Sequence, residues 1–220
     1  MNASVDLQRT EQWHQDRSGR LTASRFKDVI AWADRDKHGK RKPLAARTTY
    51  MRELAFERLA NRSKHSVSSK SMAWGTEVEQ SSHDFYEILT GNSVIKSGFV
   101  VHPKYDWLGC SPDGLIGEDG GIESKCPFNE AVHVRTWLEG MPDEHKPQVQ
   151  GCMFVTGRGV VGFPIIRSTS RMKTADCISK PLSAMRSTSR CFIKSWSSSI
   201  WNLAGWLMKS RTKPGRKPIA

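Results

Sequence analysis

Residues 108–127 hold the clearest chemistry-bearing groups of this 220-residue chain. Asp113 occupies the centre of a Pro-Asp-Gly turn sequence, and a glycine-rich acidic stretch, 115–121, separates it from Glu123 and Lys125. Two strands joined by a short turn bring such groups together. We therefore predict a β-hairpin that places Asp113, Glu123 and Lys125 at one site.

The alternation of side chains along a strand makes this prediction more specific. Glu123 and Lys125 share one face, whereas Ser124 points to the other. Two carboxylates suit Mg²⁺, which prefers one or two of them with water and phosphate oxygens, and the Ser124 carbonyl could add a ligand. Mn²⁺ often replaces Mg²⁺ at such oxygen sites. Lys125 would orient or deprotonate a water, or neutralise charge on phosphorus, so the pattern predicts metal-assisted phosphodiester hydrolysis.

The same residues also have an ordinary structural interpretation. Pro-Asp-Gly is a common turn, and Glu-x-Lys on a strand is often a solvated ion pair. A predicted helix over 72–89 carries further acids, one of which could reach the metal, but spacing does not select it. These acids are Glu77, Glu79, Asp84 and Glu87.

Composition narrows the class of protein. The five cysteines contain no CxxC pair, which argues against a disulfide framework and against a zinc or iron-sulfur site. No run of 18 apolar residues occurs and residues 1–9 lack a signal-peptide pattern, so we expect a cytoplasmic protein that does not contact membranes. The length fits one domain of ordinary size.

The net charge of +12 is unevenly distributed. Residues 1–149 contain 21 Lys and Arg and 21 Asp and Glu, whereas residues 150–220 contain 13 and one. A nuclease core with balanced charge must therefore use a local basic channel for phosphates, while an exposed basic tail would bind polyanions without selectivity.

A second candidate site lies near the N-terminus. Thr22 or Ser24 can cap a helix that continues through Trp32, so its first amides would face a phosphate with Arg17 nearby. The alternative is an ordinary cap with solvated arginines.

The remaining pattern predicts an α/β fold. Helices are expected at about 48–60, 72–89 and 130–139, and Pro147 suits the first turn of another helix that presents Gln148. A strand is expected over 94–102. The predicted apolar positions of the first two helices are Tyr50, Leu54, Phe56, Leu59, Trp74, Val78, Phe85 and Ile88.

Five sequence blocks in order resemble the YqaJ viral recombinase family, a lambda-exonuclease-like branch of the PD-(D/E)XK nucleases. The resemblance covers roughly residues 9–157. The blocks are Trp13-His14 with Arg17 and Thr22-Ala23-Ser24, Ala73-Trp74-Gly75 with Glu79, Cys110-Ser111-Pro112-Asp113-Gly114, Glu123-Ser124-Lys125-Cys126-Pro127, and Gln148-Val149-Gln150.

The resemblance assigns a role to each matching position. Asp113 and Glu123 match the metal-binding carboxylates, and Lys125 matches the catalytic lysine. Glu79 matches a helix-borne acid that completes the metal environment, and Gln148 matches a motif glutamine near the active site. The positions that match 5′-phosphate binding are Arg17, Ser24 and Ser111.

The resemblance also implies a fold and an activity. The fold is a restriction-endonuclease-like core, in which helices flank a mixed central β-sheet. The activity is Mg²⁺-dependent degradation of one strand of duplex DNA from its 5′ end, which leaves a 3′ overhang for a single-strand annealing protein. A phage or prophage origin and a ring-shaped homotrimer are further implications. The alternatives are a catalytically inactive DNA-binding remnant and another structure-specific PD-(D/E)XK nuclease.

The last third departs from the family pattern. We predict a nuclease domain over 9–157 and an atypical basic, Ser/Arg-rich tail over 158–220. One strand is expected over 160–166, and Ser168–Arg171 recurs as Ser187–Arg190. A frameshift near Gly157 would explain the change, would leave the tail poorly packed and could impair trimer formation and activity. The alternative is a divergent basic tail that binds DNA.

Overall fold

The computed structural model describes residues 8–63, 70–159, 163–165 and 176–178. Its mixed helices and small sheets confirm the predicted α/β class. The α-helices of these residues are α1 Glu11–Arg17, α2 Phe26–Val29, α3 Ala45–Ala60, α4 Lys70–Thr90, α5 Glu130–Glu139 and α6 Lys146–Thr156. The strands are β1 Leu21–Thr22, β2 Val94–Ile95, β3 Val100–Val101, β4 Leu108–Cys110, β5 Gly114–Ile116, β6 Gly120–Ile122, β7 Phe163–Ile165 and β8 Asp176–Ile178.

The helices predicted at about 48–60, 72–89 and 130–139 and the helix with Pro147 in its first turn are present, and α1 is an addition to them. Thr10 caps α1, because its hydroxyl accepts a hydrogen bond from the Trp13 amide at 3.2 Å. α6 begins at Lys146 with Pro147 in its first turn, as expected from the fixed φ of proline. No helix of the described residues is both long and apolar enough to cross a membrane.

The predicted strand over 94–102 is divided between two sheets. β2 pairs antiparallel with β5 in the order β2-β5-β6, whereas β3 pairs antiparallel with β4. β4 also pairs in parallel with β1, which gives a mixed sheet in the order β1-β4-β3. The chain changes sheets around the buried Ser97. β4 of one sheet ends at Cys110 and β5 of the other begins at Gly114, so residues 111–113, which include Asp113, connect the two sheets.

The main core surrounds β4. Leu21 and Leu108 are fully buried, and Tyr50 and Leu54 of α3 join them as predicted. The prediction was wrong for Phe56 and Leu59, which are 49% and 84% exposed. These two residues lie about 200° and 140° around the helix from Leu54, so they face away from the sheet.

The inward face of α4 also differs from the prediction. Val78 is buried as expected, but Ile88 is 78% exposed. Tyr86 is 1% exposed and packs with Ile116 and Ile122 of the β5–β6 hairpin. The buried face of α4 therefore lies against the hairpin.

The expectations for residues 158–220 fall mostly outside the described residues. Within the predicted strand 160–166, residues Phe163–Ile165 form β7, which pairs antiparallel with β8. The repeated Ser-Thr-Ser-Arg sequences and the consequences of a frameshift lie outside the part of the chain that the structure describes.

A close approach at Gly109 gives a stability prediction. A Cβ at this position would lie 2.2 Å from Phe99 Cζ and 2.8 Å from the Val100 carbonyl oxygen, and a paired strand carbonyl cannot move freely. We expect Gly109→Ala to lower the free energy of unfolding by about 1–3 kcal/mol, as overpacked cores do. Urea denaturation measures this, with Gly75→Ala as the control because nothing lies within 4 Å of its added Cβ. Equal stability of Gly109→Ala and the parent chain would contradict the packing described here.

Candidate active site

The β5–β6 hairpin brings the two predicted metal carboxylates to one end of its ladder. Gly114 pairs with Ile122, so Asp113 just before β5 lies beside Glu123 just after β6. The Ser124 amide donates a hydrogen bond to Asp113 Oδ2 at 2.7 Å. The hairpin predicted from the Pro-Asp-Gly turn and the glycine-rich stretch is therefore formed, with the acids outside its paired residues.

Glu123 is the most buried acid of this site. Its side chain is 2% exposed, and Oε1 accepts hydrogen bonds from Lys125 Nζ and from Gln148 Nε2, each at 2.5 Å. Lys125 Nζ also donates to Gln148 Oε1 at 3.4 Å. Glu123 Oε2 is buried and has no hydrogen-bond partner among the described residues. A buried carboxylate oxygen without a partner is costly, so this atom is suited to a bound cation.

Ser124 faces the opposite way, as the strand period predicts. Its hydroxyl accepts a hydrogen bond from the Ser82 hydroxyl of α4 at 3.2 Å, and both side chains are buried. The side chain thus ties the hairpin to α4. Only the Ser124 carbonyl remains as the proposed ligand.

Among the acids of α4, Glu79 is the one whose charge acts on Asp113 of the hairpin site. Its carboxylate contributes to raising the pKa of Asp113. The other helix acids have different environments: Glu87 Oε1 accepts from the Val94 amide at 2.5 Å, and Asp84 accepts from Gln80 at 2.7 Å. Glu79 instead pairs with Arg9, at 2.8 Å from Nη2 to Oε2.

Asp113 lies among other negative charges. Burial and then the charge of Glu123 raise the pKa of this carboxyl well above its usual value, with a further contribution from Glu79, although Lys125 and the Ser124 amide oppose the change. Burial lowers the pKa of Lys125, but the charges of Glu123 and Asp113 outweigh that effect and raise it above the ordinary value. Lys125 is therefore an ammonium at neutral pH, which favours its predicted roles as an orienting or neutralising cation over that of a base.

The acids fit a divalent cation in chemistry, although their present geometry does not form a coordination shell. The described residues contain no group of three His, Cys, Asp or Glu side chains arranged to hold a metal ion. Two of the carboxylates instead form ion pairs with basic side chains: Glu123 with Lys125 and Glu79 with Arg9. The donors are hard oxygens, one of them unpartnered, and the neighbouring acids raise the pKa of Asp113. Both features are typical of a site that takes up positive charge.

His145 is a site neighbour that the sequence reasoning missed. It precedes α6 by one residue, and burial, followed by the charges of Lys125 and Lys27, lowers its pKa to about 4. The imidazole is therefore neutral at pH 7. The one available signal was its position three residues before Gln148, since residues at that spacing share a helix face.

The three predicted phosphate-binding residues lie together. Arg17 donates to the Ser111 hydroxyl at 3.1 Å and to the Ser24 hydroxyl at 3.4 Å. Among the described residues, these hydrogen-bond partners are hydroxyls and not carboxylates. Burial lowers the pKa of Arg17, but a guanidinium remains charged in proteins. The cluster therefore presents a fixed positive charge beside two hydroxyls, which suits an anion.

Trp13 supports this cluster, a role that the sequence reasoning did not assign. Its indole N–H donates to the Ser111 hydroxyl at 2.9 Å, and the Arg17 guanidinium lies 4.1 Å from the centre of its ring. The two contacts fix both the hydroxyl and the cation. A tryptophan one helical turn before an arginine was the available signal, since such residues share a face.

The predicted helix after Thr22 is shorter and built differently. Residues Ala23–Arg25 form a 3₁₀ turn, and α2 ends at Val29 rather than continuing to Trp32. Thr22 makes no capping hydrogen bond from its side chain; its hydroxyl contacts the Ser24 hydroxyl at 3.3 Å. Side chains, rather than helix amides, thus form the anion cluster.

Comparison with solved structures shows a consistent fold. The chain superposes on an alkaline exonuclease, LHK-Exo, from Laribacter hongkongensis with a TM-score of 0.68 and 30% identity, covering 92% of this chain and 96% of that one. The structure of LHK-Exo in complex with dAMP matches with a TM-score of 0.68 and 30% identity, covering 91% of this chain and 95% of that one. A phage-related exonuclease from Haemophilus somnus 129PT matches with a TM-score of 0.60 and 14% identity, covering 88% of this chain and 96% of that one. At this identity the likeness shows the fold alone.

The sequence comparisons cover the region of the candidate site. No curated protein gives a significant match. Residues 12–159 match the YqaJ-like viral recombinase domain, and this range includes the hairpin acids, the anion cluster and α6. The family resemblance predicted from the five blocks is confirmed, and the chain belongs to the YqaJ-like viral recombinase family.

Proposed function

We propose that the chain is a Mg²⁺-dependent exonuclease that degrades one strand of duplex DNA from its 5′ end and leaves a 3′ overhang. Family membership and the likeness to LHK-Exo, an alkaline exonuclease, support a DNA exonuclease. One observation carries the finer proposal: Ser111 of the anion cluster and Asp113 of the carboxylate site are two residues apart on one loop. A terminal phosphate bound at Arg17 would place the adjoining strand beside the acids.

The acids would hold the cation. Asp113, Glu79, the unpartnered Glu123 Oε2 and the Ser124 carbonyl are the proposed ligands, and Mn²⁺ would replace Mg²⁺ at these oxygens. A cation held there would supply Lewis-acid chemistry, polarising a phosphoryl oxygen and lowering the pKa of a water.

Lys125 and Gln148 organise this site. Both donate to Glu123 Oε1, which directs Oε2 away from them. The Lys125 ammonium also supplies a compact charge that can stabilise negative charge on a phosphate. Gln148, held by Lys125, fixes α6 against the end of β6.

The anion cluster would give the enzyme its preference for strand ends. Arg17 and the Ser111 and Ser24 hydroxyls would bind a 5′ phosphate, which carries more charge than an internal phosphodiester. A charged, bidentate donor between fixed hydroxyls discriminates by geometry as well as charge. Binding there keeps the strand in register after each nucleotide is removed.

The proposed partners follow from this activity. A 3′ overhang is a substrate for a single-strand annealing protein in phage-type recombination, in the cytoplasm of a bacterial host. A homotrimer around the duplex would hold the DNA during successive cuts. An exposed apolar face on α5 is available for contacts between subunits: Val134, Trp137 and Leu138 lie within about 100° of one another around the helix and are 42%, 51% and 73% exposed.

Linear duplexes labelled at the 5′ or the 3′ end of one strand test the polarity. We expect the 5′ label to leave first as a mononucleotide and the 3′-labelled strand to shorten gradually, while a partner strand whose 5′ end is blocked remains. Earlier loss of the 3′ label would contradict the proposed polarity. Cleavage of a covalently closed circle would instead favour the structure-specific endonuclease alternative.

A further inference from the structure

An ion pair connects the N-terminal segment to the candidate metal site. Arg9 Nη2 lies 2.8 Å from Glu79 Oε2, although 70 residues separate the two in the sequence. The arginine is 49% exposed and the glutamate 23%. Glu79 is thus partly buried, with the guanidinium on its solvent side.

The backbone around Arg9 is anchored on both sides. Gln8 Nε2 donates to the Pro112 carbonyl at 2.8 Å and to the Ser97 carbonyl at 3.2 Å, while Thr10 caps α1. Arg9 itself has φ +72°, in the left-handed region that non-glycine residues rarely adopt. The segment is therefore held against the residue that precedes Asp113, with Arg9 in contact with Glu79.

The Arg9–Glu79 ion pair is one of two ion pairs that neutralise carboxylates near the hairpin. Asp113, Glu123 and Glu79 supply three carboxylates to this region, whereas Lys125 and Arg9 supply two cations. Lys125 balances Glu123 from inside the protein, and Arg9 balances Glu79 from the solvent side. A cation that takes Glu79 as a ligand must share it with Arg9 or displace the guanidinium, which is exposed enough to move into solvent.

We propose that Arg9 is a positioning residue that holds the Glu79 carboxylate in the metal-free enzyme and releases it to the incoming divalent cation. This inference rests on the proposed metal site. Arg9 and the cation compete for one carboxylate, so removing the arginine's charge should strengthen cation binding even though an interaction at the site has been lost. A purely structural contact would have the opposite effect or none.

Calorimetric titration of Mn²⁺ into the DNA-free full-length protein tests the inference. We expect Arg9→Gln to bind Mn²⁺ about two- to fivefold more tightly than the wild type, the range that corresponds to an exposed ion pair. Arg9→Lys should retain the wild-type affinity because it keeps the charge. Arg135→Gln is the matched control, since it removes an exposed Arg–Glu pair on α5, with 3.9 Å between Arg135 Nε and Glu139 Oε2.

Two further variants separate the possible failures. Wild-type Mn²⁺ binding that Asp113→Asn does not reduce would overturn the proposed metal site. Binding that Asp113→Asn abolishes but Arg9→Gln leaves unchanged or weakens would overturn the role of Arg9 alone. Gln8→Ala provides a second test without altering charge: loss of its two anchors should also tighten Mn²⁺ binding, by less than Arg9→Gln, and unchanged or weaker binding would contradict the proposed presentation of Arg9.

Discussion

Asp113→Asn is expected to lower the rate of DNA hydrolysis by at least about a hundredfold and, in EDTA, to make the fold more stable. The loss of activity follows because a catalytic cation supplies several kcal/mol of transition-state stabilisation, and 1.36 kcal/mol corresponds to a tenfold change in rate. The gain in stability follows because burial, Glu123 and Glu79 disfavour the ionised carboxylate of Asp113. An asparagine oxygen can still accept the Ser124 amide.

The pH dependence distinguishes this cause from a packing effect. A raised pKa in the folded state means that the destabilising charge is absent below the unfolded-state pKa of about 3.9 and develops as the pH rises through the folded-state pKa. The difference in Tm between Asp113→Asn and the wild type should therefore grow as the pH rises from about 4 and level off above the folded-state pKa. Each kcal/mol corresponds to about 2–4 °C for a protein of this size.

Thermal unfolding in EDTA measures this difference, with Asp119→Asn as the control. Asp119 is exposed in the turn of the same hairpin, so its substitution should leave Tm nearly unchanged at every pH. An Asp113→Asn protein that is equally or less stable than the wild type at pH 7 would contradict the charge excess inferred for the site.

Arg17→Ala is expected to remove most of the preference for 5′-phosphorylated ends. The guanidinium contacts two hydroxyls and stacks on Trp13, so it is fixed where a phosphate would bind. Hydrogen bonds to charged groups contribute about 1.5–3 kcal/mol, and 1.4 kcal/mol is a factor of ten. The ratio of initial rates on 5′-phosphate and 5′-hydroxyl duplexes should therefore fall about tenfold to a hundredfold.

The rate ratio isolates the terminal phosphate from general DNA binding. Arg52→Ala removes an exposed arginine on α3 and should leave the ratio unchanged, even if it weakens binding slightly. Arg17→Lys should recover only part of the preference, because an ammonium lacks the planar fork of a guanidinium. A ratio that stays at the wild-type value in Arg17→Ala would place phosphate recognition elsewhere.

The parts of the site that depend on local sequence could be predicted. A Pro-Asp-Gly turn, a glycine-rich connection and a Glu-x-Lys strand together specify a hairpin, and the strand period correctly separates Glu123 and Lys125 from Ser124. Spacing alone could not choose Glu79 among four helix acids. That choice came from the family resemblance.

The parts that depend on contacts between distant segments could not be predicted. The pairing of Arg9 with Glu79 and of Trp13 with Ser111 spans 70 and 98 residues. The prediction of a long helix after Thr22 relied on a local capping pattern. In the structure the Thr22 hydroxyl instead makes a tertiary contact, since the Tyr50 hydroxyl lies 3.5 Å from it. Leu59 was assigned to the core from its apolar character, although its angle around α3 turns it to solvent.

The most direct test of the central claim is the release of nucleotides from a linear duplex with 5′-phosphate ends, in Mg²⁺ and in EDTA, by the wild type and Asp113→Asn. We predict nucleotide release by the wild type in Mg²⁺, none in EDTA, and a loss of at least about a hundredfold in the variant. Wild-type protein that binds the duplex in Mg²⁺ without hydrolysing it would contradict the account and identify the chain as a DNA-binding remnant.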